Sequence, residues 1–294
     1  MRATWGATQY TPARMDARIA DRYEVLGRLG EGVLGEVVRV RDLRDGSVKA
    51  LKLLKPRATP SNAVARFERE FRVIKALAHP NIIRVFDSGV HGDPAEGRPY
   101  FSMELLDGSD LAAWRLAHRP AEDAAGFAVY AAQLAYVGHQ IADALAAVHG
   151  AGIVHRDLKP ANVFVRDGRH PRIKLLDFGH ARDDDGADLT RTGTVLGTAT
   201  YMAPEQATGA APAPSADVYA LGCVLFEALA GRPPFEAPTV LDMLLAHVQR
   251  AAPPLADEEP RTPPEFAAVV HRLLAKDPAA RPSAAEACAE LAVL

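Results

Sequence analysis

The chain has 294 residues, enough to bury a sizeable core, and its proportions of charged (24%) and hydrophobic (48%) residues are ordinary for a soluble globular protein. The formal net charge of −3 gives no reason to expect nucleic acid or an anionic membrane as the main partner. The two cysteines, Cys223 and Cys288, lie far apart in the sequence, which argues against a disulfide framework or a zinc cluster and predicts a cytoplasmic location.

The first part of the chain is rich in short β-type runs. Residues 1–20 show no sustained periodicity and no apolar segment typical of a signal peptide, so we expect a tail or a strap there. A helix is predicted over 62–78, where Phe71 and Ile74 belong to one apolar face. Runs rich in β-branched and aromatic residues predict strands of an antiparallel meander at 23–29, 36–42 and 47–54, and further strands at 82–90 and 98–106.

Beyond Asp107 the composition becomes helical, with long Ala- and Leu-rich segments. The stretch 127–154 is the best candidate for a membrane span, but polar residues such as His139 and Asp143 interrupt it. Since a span needs about 20 mainly apolar residues, we expect an amphipathic, largely buried helix instead. The coarse layout is a small β-rich lobe followed by a larger helical lobe, with a hinge near 104–108.

Glycines recur in the pattern G-x-G-x-x-G-x-V from Gly30 to Val37. Glycine lets a backbone approach phosphate oxygens closely and adopt positive φ at little cost. The pattern alone is weak, because dinucleotide-binding folds also use it where the loop opens a helix. Here β-type sequence continues after the loop, which favours a glycine flap between two strands over a nucleotide phosphate. A glycine-rich hairpin without a ligand is the alternative.

The densest cluster of reactive groups is HRDLKPAN at 155–162, followed by DFG at 177–179. One short segment holds a carboxylate, a lysine and an amide, and a second carboxylate comes just downstream. These groups can direct a hydroxyl onto a metal-bound triphosphate. For a single aspartate the alternative is a turn or a helix cap, but that alternative does not account for the combination.

Further motifs surround this cluster. KALK at 49–52 follows the glycine loop, GT at 197–198 precedes YMAPE at 201–205, and SADVYALG begins at Ser215. In order and spacing, these motifs together resemble the eukaryotic-type protein kinase family, and most of all its bacterial serine/threonine kinases.

The resemblance covers about 21–294 and implies an α+β fold with two lobes. A small β-rich N-lobe with one main helix would precede a larger, mainly helical C-lobe. The implied division is a tail or strap (1–20), an N-lobe (21–105) and a C-lobe (106–294), which form one catalytic domain (21–294).

The resemblance assigns the transfer chemistry to four side chains. Asp157 would orient the substrate hydroxyl and accept its proton, and Lys159 would neutralise charge on the transferring phosphoryl group. Lys52, rather than the neighbouring lysines, would contact the α- and β-phosphates of ATP. Glu70 would pair with Lys52 from the predicted helix.

ATP and Mg²⁺ are the cofactors that the resemblance implies, with Mn²⁺ as a possible substitute. Asn162 and Asp177 would hold the magnesium ions. Mg²⁺ prefers hard oxygen ligands and keeps several waters, so one amide and one carboxylate are enough.

The resemblance also outlines an ATP pocket. Met103 would be the gatekeeper behind the adenine, and backbone groups of Glu104 and Leu106 would contact the base. The predicted ATP-binding residues are Gly30, Gly32, Gly35, Val37, Ala50, Lys52, Met103, Glu104, Leu106 and Phe164. For Val37, Ala50 and Phe164, which would sandwich the adenine ring, a plain core role fits equally well, because a core and a pocket wall need the same surface.

Two residues narrow the substrate class. Lys159 in the LKPxN form and Thr198 before YMAPE resemble serine/threonine kinases rather than tyrosine kinases. Ala161 stands where many arginine-directed kinases have a glutamate, so we expect no strong requirement for basic residues before the phosphoacceptor. Protein substrates are the expected partners, a second copy phosphorylated in trans among them, and a homodimer is possible.

Arg156, just before the catalytic aspartate, suggests control by phosphorylation of the activation segment. Arg182 would help it to bind the phosphate, which carries about −1.5 to −2 charge at pH 7. The acidic run 183–185 would either repel the unphosphorylated loop or simply be a solvated stretch. The candidate phosphosites are Thr190, Thr192 and Thr194, with autophosphorylation expected at Thr192 or Thr190.

Three residues would serve as a structural frame. Glu205 and Arg281 resemble the buried ion pair that ties the activation segment to the C-lobe. Asp217 resembles the helix aspartate that anchors the backbone of the HRD segment. Removing one partner of a buried pair costs about 3–5 kcal/mol, so these positions should matter for stability.

Two other functions remain as alternatives. A nucleotide-binding pseudokinase scaffold would usually lack residues such as Lys52, Asp157 or Asp177, and all three are present. A small-molecule phosphotransferase on a related fold would generally lack the segment 197–205.

Overall fold

A computed structural model of the chain describes residues 18–31, 35–54, 71–72, 74–93, 97–120, 123–168, 170–177, 196–211 and 213–294. The chain divides between Ser109 and Asp110 into two compact units. The break lies just beyond the hinge predicted at 104–108. The first unit is mainly β-sheet and the second mainly helical.

Among the described residues of the first unit, six strands form one antiparallel sheet in the order β1-β2-β3-β4-β6-β5. The last two strands depart from a simple meander, because β6 pairs with both β4 and β5. The strands are β1 (Arg18–Ile19), β2 (Tyr23–Glu31), β3 (Gly35–Asp42), β4 (Val48–Leu54), β5 (Val85–His91) and β6 (Arg98–Met103).

Each of the five runs predicted to be strands contains an observed strand. The agreement is poorest for 82–90, where β5 begins only at Val85. Helix α1, predicted over 62–78, is described at 71–72 and 74–76. It ends earlier than predicted because the Leu77 N–H bonds to the Ile74 carbonyl in a tight three-residue turn, as is common at helix ends.

The end of the predicted tail belongs to the sheet. Arg18 pairs with Glu24, so β1 and β2 form a short hairpin. Three residues, Ala20 to Arg22, connect the paired residues Ile19 and Tyr23. Ala20 and Asp21 have φ of 50° and 52°, a left-handed conformation that alanine adopts rarely. The Ala20 N–H also donates to His91 Nδ1 at 3.1 Å, which holds the turn against β5.

Side chains alternate between the two faces of the sheet. Val38 lies opposite Leu51 across β3 and β4, and both are fully buried. The residues next to them in sequence, Val37 and Lys52, lie opposite each other on the other face. The core face consists of Ile19, Tyr23, Val38, Val40, Leu51, Leu53 and Tyr100.

The second unit is built on two buried helices. Helix α6 (Pro214–Ala230) is almost wholly buried, and α3 (Ala124–Gly150) buries one long side. The other described helices are α2 (Leu111–His118), α4 (Leu196–Ala199), α5 (Pro204–Ala207), α7 (Val240–Gln249), α8 (Leu255–Glu258), α9 (Pro264–Leu273) and α10 (Ala284–Leu291). A small sheet contains β7 (Ser109–Asp110), β8 (Val163–Arg166) and β9 (Arg172–Leu175).

Helix α3 corresponds to the buried helix predicted at 127–154. Asp123 caps its first turn by accepting from the N–H groups of Ala125 and Gly126. Gly152, with φ of 73°, follows its last turn and supplies the left-handed conformation that often ends a helix. Within the described residues, no helix combines the length and the apolarity that a membrane crossing requires.

Gly35 is required by the packing of two strands. A Cβ at this position would lie 2.3 Å from the Leu53 carbonyl oxygen on β4, whereas a Cβ at Gly30 would meet nothing within 4 Å. We therefore expect Gly35→Ala to destabilise the protein by on the order of 1–3 kcal/mol. Thermal unfolding without nucleotide should show a lower Tm, by about 2–4 °C for each kcal/mol.

Gly30→Ala is the matched control, because it makes the same chemical change in open space. Its Tm should stay close to that of the wild-type protein. Equal Tm values for the two variants would contradict the steric explanation of Gly35.

Candidate active site

The loop between α3 and β8 is held by a carboxylate of helix α6. Asp217 is buried, and it accepts hydrogen bonds from the N–H groups of His155 (2.7 Å) and Arg156 (2.9 Å). His149 donates to the same carboxylate through Nε2 at 2.8 Å. Arg156 has φ of 67°, a conformation that costs a non-glycine residue energy and that the two backbone bonds hold in place.

His155 connects this loop to the segment before Asp177. Its Nε2 donates to the Leu176 carbonyl at 2.9 Å, and its Nδ1 accepts from the Asp157 N–H at 3.3 Å. Burial lowers the pKa of His155, so the ring is neutral and carries its proton on Nε2. The ring acts as a spacer that fixes the backbone on both sides.

Asp157, Lys159 and Asn162 form one cluster. Lys159 Nζ lies 2.8 Å from Asp157 Oδ2, and Asn162 Nδ2 lies 3.0 Å from the same oxygen. Asn162 Nδ2 also donates to the Asp157 carbonyl at 2.7 Å. The carboxylate is therefore held in one orientation by charged and polar donors.

The chain places Asn162 beside the segment that leads to Asp177. A 3₁₀ turn (Pro160–Asn162) ends at Asn162, whose carbonyl accepts from the Leu176 N–H at 2.8 Å. The Asn162 amide nitrogen is used by Asp157, so the amide oxygen is the atom that can bind a cation. Asp177 has φ of 49°, which an aspartate tolerates better than most residues. Amide and carboxylate oxygens are hard donors that suit Mg²⁺.

Thr198 lies close to this cluster. It belongs to the short helix α4 and lines a small recess together with Arg156, Asp157 and Tyr201. The second unit thus brings the predicted substrate-segment threonine to the same recess as the predicted catalytic aspartate.

Glu205 and Arg281 form the ion pair that the sequence predicts. The guanidinium contacts both carboxylate oxygens, at 2.7 and 2.8 Å. Its other N–H bonds go to the carbonyls of Ala275, Ser215 and Lys276, so all five donors are used. The Arg281 side chain is 0% exposed, and the pair ties the segment after Thr198 to the end of the chain.

The predicted phosphate-binding lysine belongs to the first unit. Lys52 lies on β4, is buried, and faces Val37 on β3 and Phe101 on β6. Ala50, two residues earlier, pairs with Met103. These side chains share the face of the sheet opposite the core, so the sheet places four of the predicted residues, Val37, Ala50, Lys52 and Met103, on one surface.

The segment after β6 contains the predicted hinge. The Glu104 N–H donates to the Arg84 carbonyl at 2.9 Å, and Glu104 Oε1 accepts from the Arg84 N–H at 2.8 Å. The N–H of Glu104 is therefore used within the first unit. Leu106 is half-buried and lies outside any helix or strand. Phe164 is buried on β8 of the second unit, opposite Lys174.

Some predicted residues have no described position, and some observed ones were not predicted. His149 was missed, because a histidine near the end of a long helix carries no sequence signal for a buried bond to Asp217. Gly30 and Gly35 flank the predicted flap on β2 and β3. The predicted residues outside the described ones are Gly32, Glu70, Arg182, Thr190, Thr192 and Thr194.

The chain is similar to known proteins over most of its length. The model of the protein kinase domain family matches residues 23–291. The serine/threonine-protein kinase pkn3 of Myxococcus xanthus is 36% identical over 92% of this chain and 49% of its own. The DNA damage-responsive serine/threonine-protein kinase RqkA of Deinococcus radiodurans is 41% identical over 93% and 39%. The chain thus spans half or less of the length of these relatives.

A solved structure shows the same fold. The kinase domain of Mycobacterium tuberculosis PknI superposes with a TM-score of 0.70 and 29% sequence identity. The match covers 94% of this chain and 97% of that one, so it includes both units.

The buried pair should matter far more for stability than an exposed pair of the same chemistry. We expect Arg281→Ala to lower the Tm by on the order of 10 °C, because it leaves Glu205 and several carbonyls without their donor. Arg272→Ala removes an exposed pair with Glu290 (50% and 33% exposed) and should shift the Tm by no more than about 2 °C. Comparable shifts in thermal unfolding would contradict the assignment of Arg281 as a frame residue.

Proposed function

The chain belongs to the protein kinase domain family, and we propose that it is an ATP- and Mg²⁺-dependent serine/threonine protein kinase. The observation that carries the proposal is the cluster of Asp157, Lys159 and Asn162, whose polar groups lie within hydrogen-bond distance of one another. Family membership explains why these groups occur together, and their geometry suits transfer to a hydroxyl.

Asp157 positions the nucleophile in this proposal. A carboxylate is a weak base, so its main contribution is to orient the substrate hydroxyl and to receive the proton as transfer proceeds. Lys159 lies beside it and stabilises negative charge on the group that moves. Asn162 and Asp177 would hold Mg²⁺ through oxygen atoms, and the bound ion would supply positive charge that offsets the charge of the phosphates.

The first unit would bind the nucleotide. Lys52 provides the cation for the α- and β-phosphates, with Glu70 as its proposed partner. The apolar surface around it, formed by Val37, Ala50 and Met103, suits a flat aromatic base. Phe164 of the second unit and the backbone of Glu104 and Leu106 complete the proposed set, together with Gly30, Gly32 and Gly35.

Lys159 and Thr198 support serine/threonine rather than tyrosine substrates. The recess shared by Thr198 and Asp157 is consistent with a threonine that helps to place the substrate chain beside the catalytic carboxylate. A scaffold without activity is less well supported, because Lys52, Asp157 and Asp177 are all retained.

Regulation and location are part of the same proposal. Phosphate on Thr190, Thr192 or Thr194 would bind Arg156 and Arg182 and order the activation segment. Protein substrates, including a second copy of the chain, are the proposed partners. Cys223 and Cys288 form no disulfide, which suits the reducing cytoplasm.

Phosphotransfer should depend on both halves of the proposed site. With radiolabelled ATP, Mg²⁺ and a generic protein substrate such as casein, Lys52→Met and Asp157→Asn should each reduce labelling on the order of 100-fold or more. Loss of Lys52 removes the phosphate cation, and loss of Asp157 removes the group that orients the hydroxyl.

Lys75→Met is the control for the lysine change, since Lys75 is exposed on α1 and has no proposed role in catalysis. It should label the substrate as the wild type does. Equal labelling by wild type and both site variants would mean that the activity belongs to a contaminant and that the proposed mechanism is wrong.

Autophosphorylation should be confined to the activation segment. We expect purified wild-type protein to carry phosphate at Thr192 or Thr190, because these threonines lie between the DFG and APE motifs. Intact-mass measurement and peptide mapping should find this phosphate in the wild type and not in Asp157→Asn. The same phosphates on both proteins, or none on either, would refute it.

A further inference from the structure

A buried polar cluster lies behind the segment that follows Thr198. Tyr219 of α6 and His247 of α7 are both 0% exposed, and the Tyr219 hydroxyl lies 2.9 Å from His247 Nδ1. Lys276, after α9, lies 2.6 Å from the His247 carbonyl and 3.3 Å from the Tyr219 hydroxyl. Its ammonium also faces the Phe235 ring at 4.4 Å. None of these groups belongs to the proposed catalytic set.

The hydrogen bonds of this cluster run in one direction. An ammonium can only donate, so Lys276 makes the Tyr219 oxygen an acceptor. The Tyr219 hydroxyl then donates to His247 Nδ1, which requires the ring proton to be on Nε2. Burial, together with the Lys276 charge, lowers the pKa of His247 to about 4, so the ring is neutral as this arrangement needs.

His247 Nε2 is the ring nitrogen that the bond between Nδ1 and Tyr219 leaves over. It is buried and makes no hydrogen bond of standard geometry within the described residues. The backbone groups of Thr200 and Ala199 nevertheless stabilise the protonated ring, as carbonyl oxygens do. Because the Nε2–H of His247 is buried, these backbone carbonyls are the partners left to it. Its attraction to them acts on the backbone next to Thr198.

Apolar contacts hold the same two elements together. Ala199, at the end of α4, packs with Phe235, Met243 and Ala246 in one buried cluster. Ala246 immediately precedes His247, so α7 meets the segment through both an apolar contact and a polar one. Burial lowers the pKa of Lys276, at the far end of the cluster, to about 8.

We propose that Lys276, Tyr219 and His247 are positioning residues that hold the backbone of 199–201, and with it Thr198, in the geometry that accepts a protein substrate. This inference rests on the proposed kinase function. They act through the segment and touch neither nucleotide nor reacting atoms. Their loss should therefore weaken the use of protein substrate more than the use of ATP.

Steady-state kinetics of His247→Phe, His247→Gln and Tyr219→Phe test this proposal. Phenylalanine has an aromatic ring in the same place but no ring nitrogens, so it cannot bond to Tyr219 or attract the backbone of the substrate segment. His247→Phe should therefore raise the KM for protein substrate about fivefold, as expected for one hydrogen bond. The KM for ATP should change less than about twofold. His247→Gln should recover most of the loss, because its amide can donate to the same carbonyls.

Tyr130→Phe is the matched control for Tyr219→Phe. Tyr130 is also buried, and its hydroxyl donates to the Ala228 carbonyl at 2.7 Å rather than to α7. The two changes remove the same atom from the same unit. Tyr219→Phe should raise the KM for protein substrate, whereas Tyr130→Phe should leave this KM at the wild-type value. This difference should hold even if the two variants lower the Tm by the same amount.

Hydrogen exchange gives a second result that does not need activity. The N–H groups of Tyr201 and Met202 bond to the carbonyls of Thr198 and Ala199. In His247→Phe these two amides should exchange faster than in the wild type, and in Tyr130→Phe they should not. Faster exchange in His247→Phe, together with a wild type that transfers no phosphate, would overturn the proposed function and keep the network. An active wild type whose His247 and Tyr219 variants match it in substrate KM and in exchange would overturn the inference.

Discussion

The second unit depends on the Asp217 carboxylate, which holds the backbone of the catalytic loop from inside the protein. Two consecutive N–H groups, those of His155 and Arg156, donate to its two oxygens, and His149 adds a third donor. Buried polar groups are expensive unless they are paired, so a carboxylate at this depth determines where the loop must run. Asp157 follows immediately in the chain, so its position depends on Asp217, a residue that takes no part in the chemistry.

Much of the proposed site could be predicted because its members are close in sequence. Asp157, Lys159 and Asn162 lie within one short loop, and chain connectivity alone brings them together. Glu205 and Arg281 are far apart in sequence, and only the resemblance to a known family joined them. Strand β1 was missed because two residues are too few for periodicity to detect, and its pairing depends on the turn at Ala20 and Asp21.

The residues that sequence reasoning missed share a physical cause. A histidine or lysine at or beyond the end of a helix is usually solvated, and nothing in its immediate sequence reveals a buried partner on another helix. His149 and Lys276 acquire their roles from tertiary packing. Gly35 shows the opposite case: its position was predicted, but the close approach of β4 explains the glycine without a ligand. A motif can thus locate a residue and still leave its physical reason open.

Helix α6 explains how one element can serve several parts of the unit. Its surface is almost entirely buried and apolar, so each polar side chain on it needs a specific partner. Asp217 accepts hydrogen bonds from the catalytic loop, the Tyr219 hydroxyl bonds to His247, and Glu227 accepts from the Tyr201 hydroxyl at 2.5 Å. These partners lie in or beside the catalytic loop and the substrate segment. The few polar side chains of this apolar helix therefore connect the catalytic loop and the substrate segment to one rigid element. In this way a packed core can fix the geometry of a site that is made of loops.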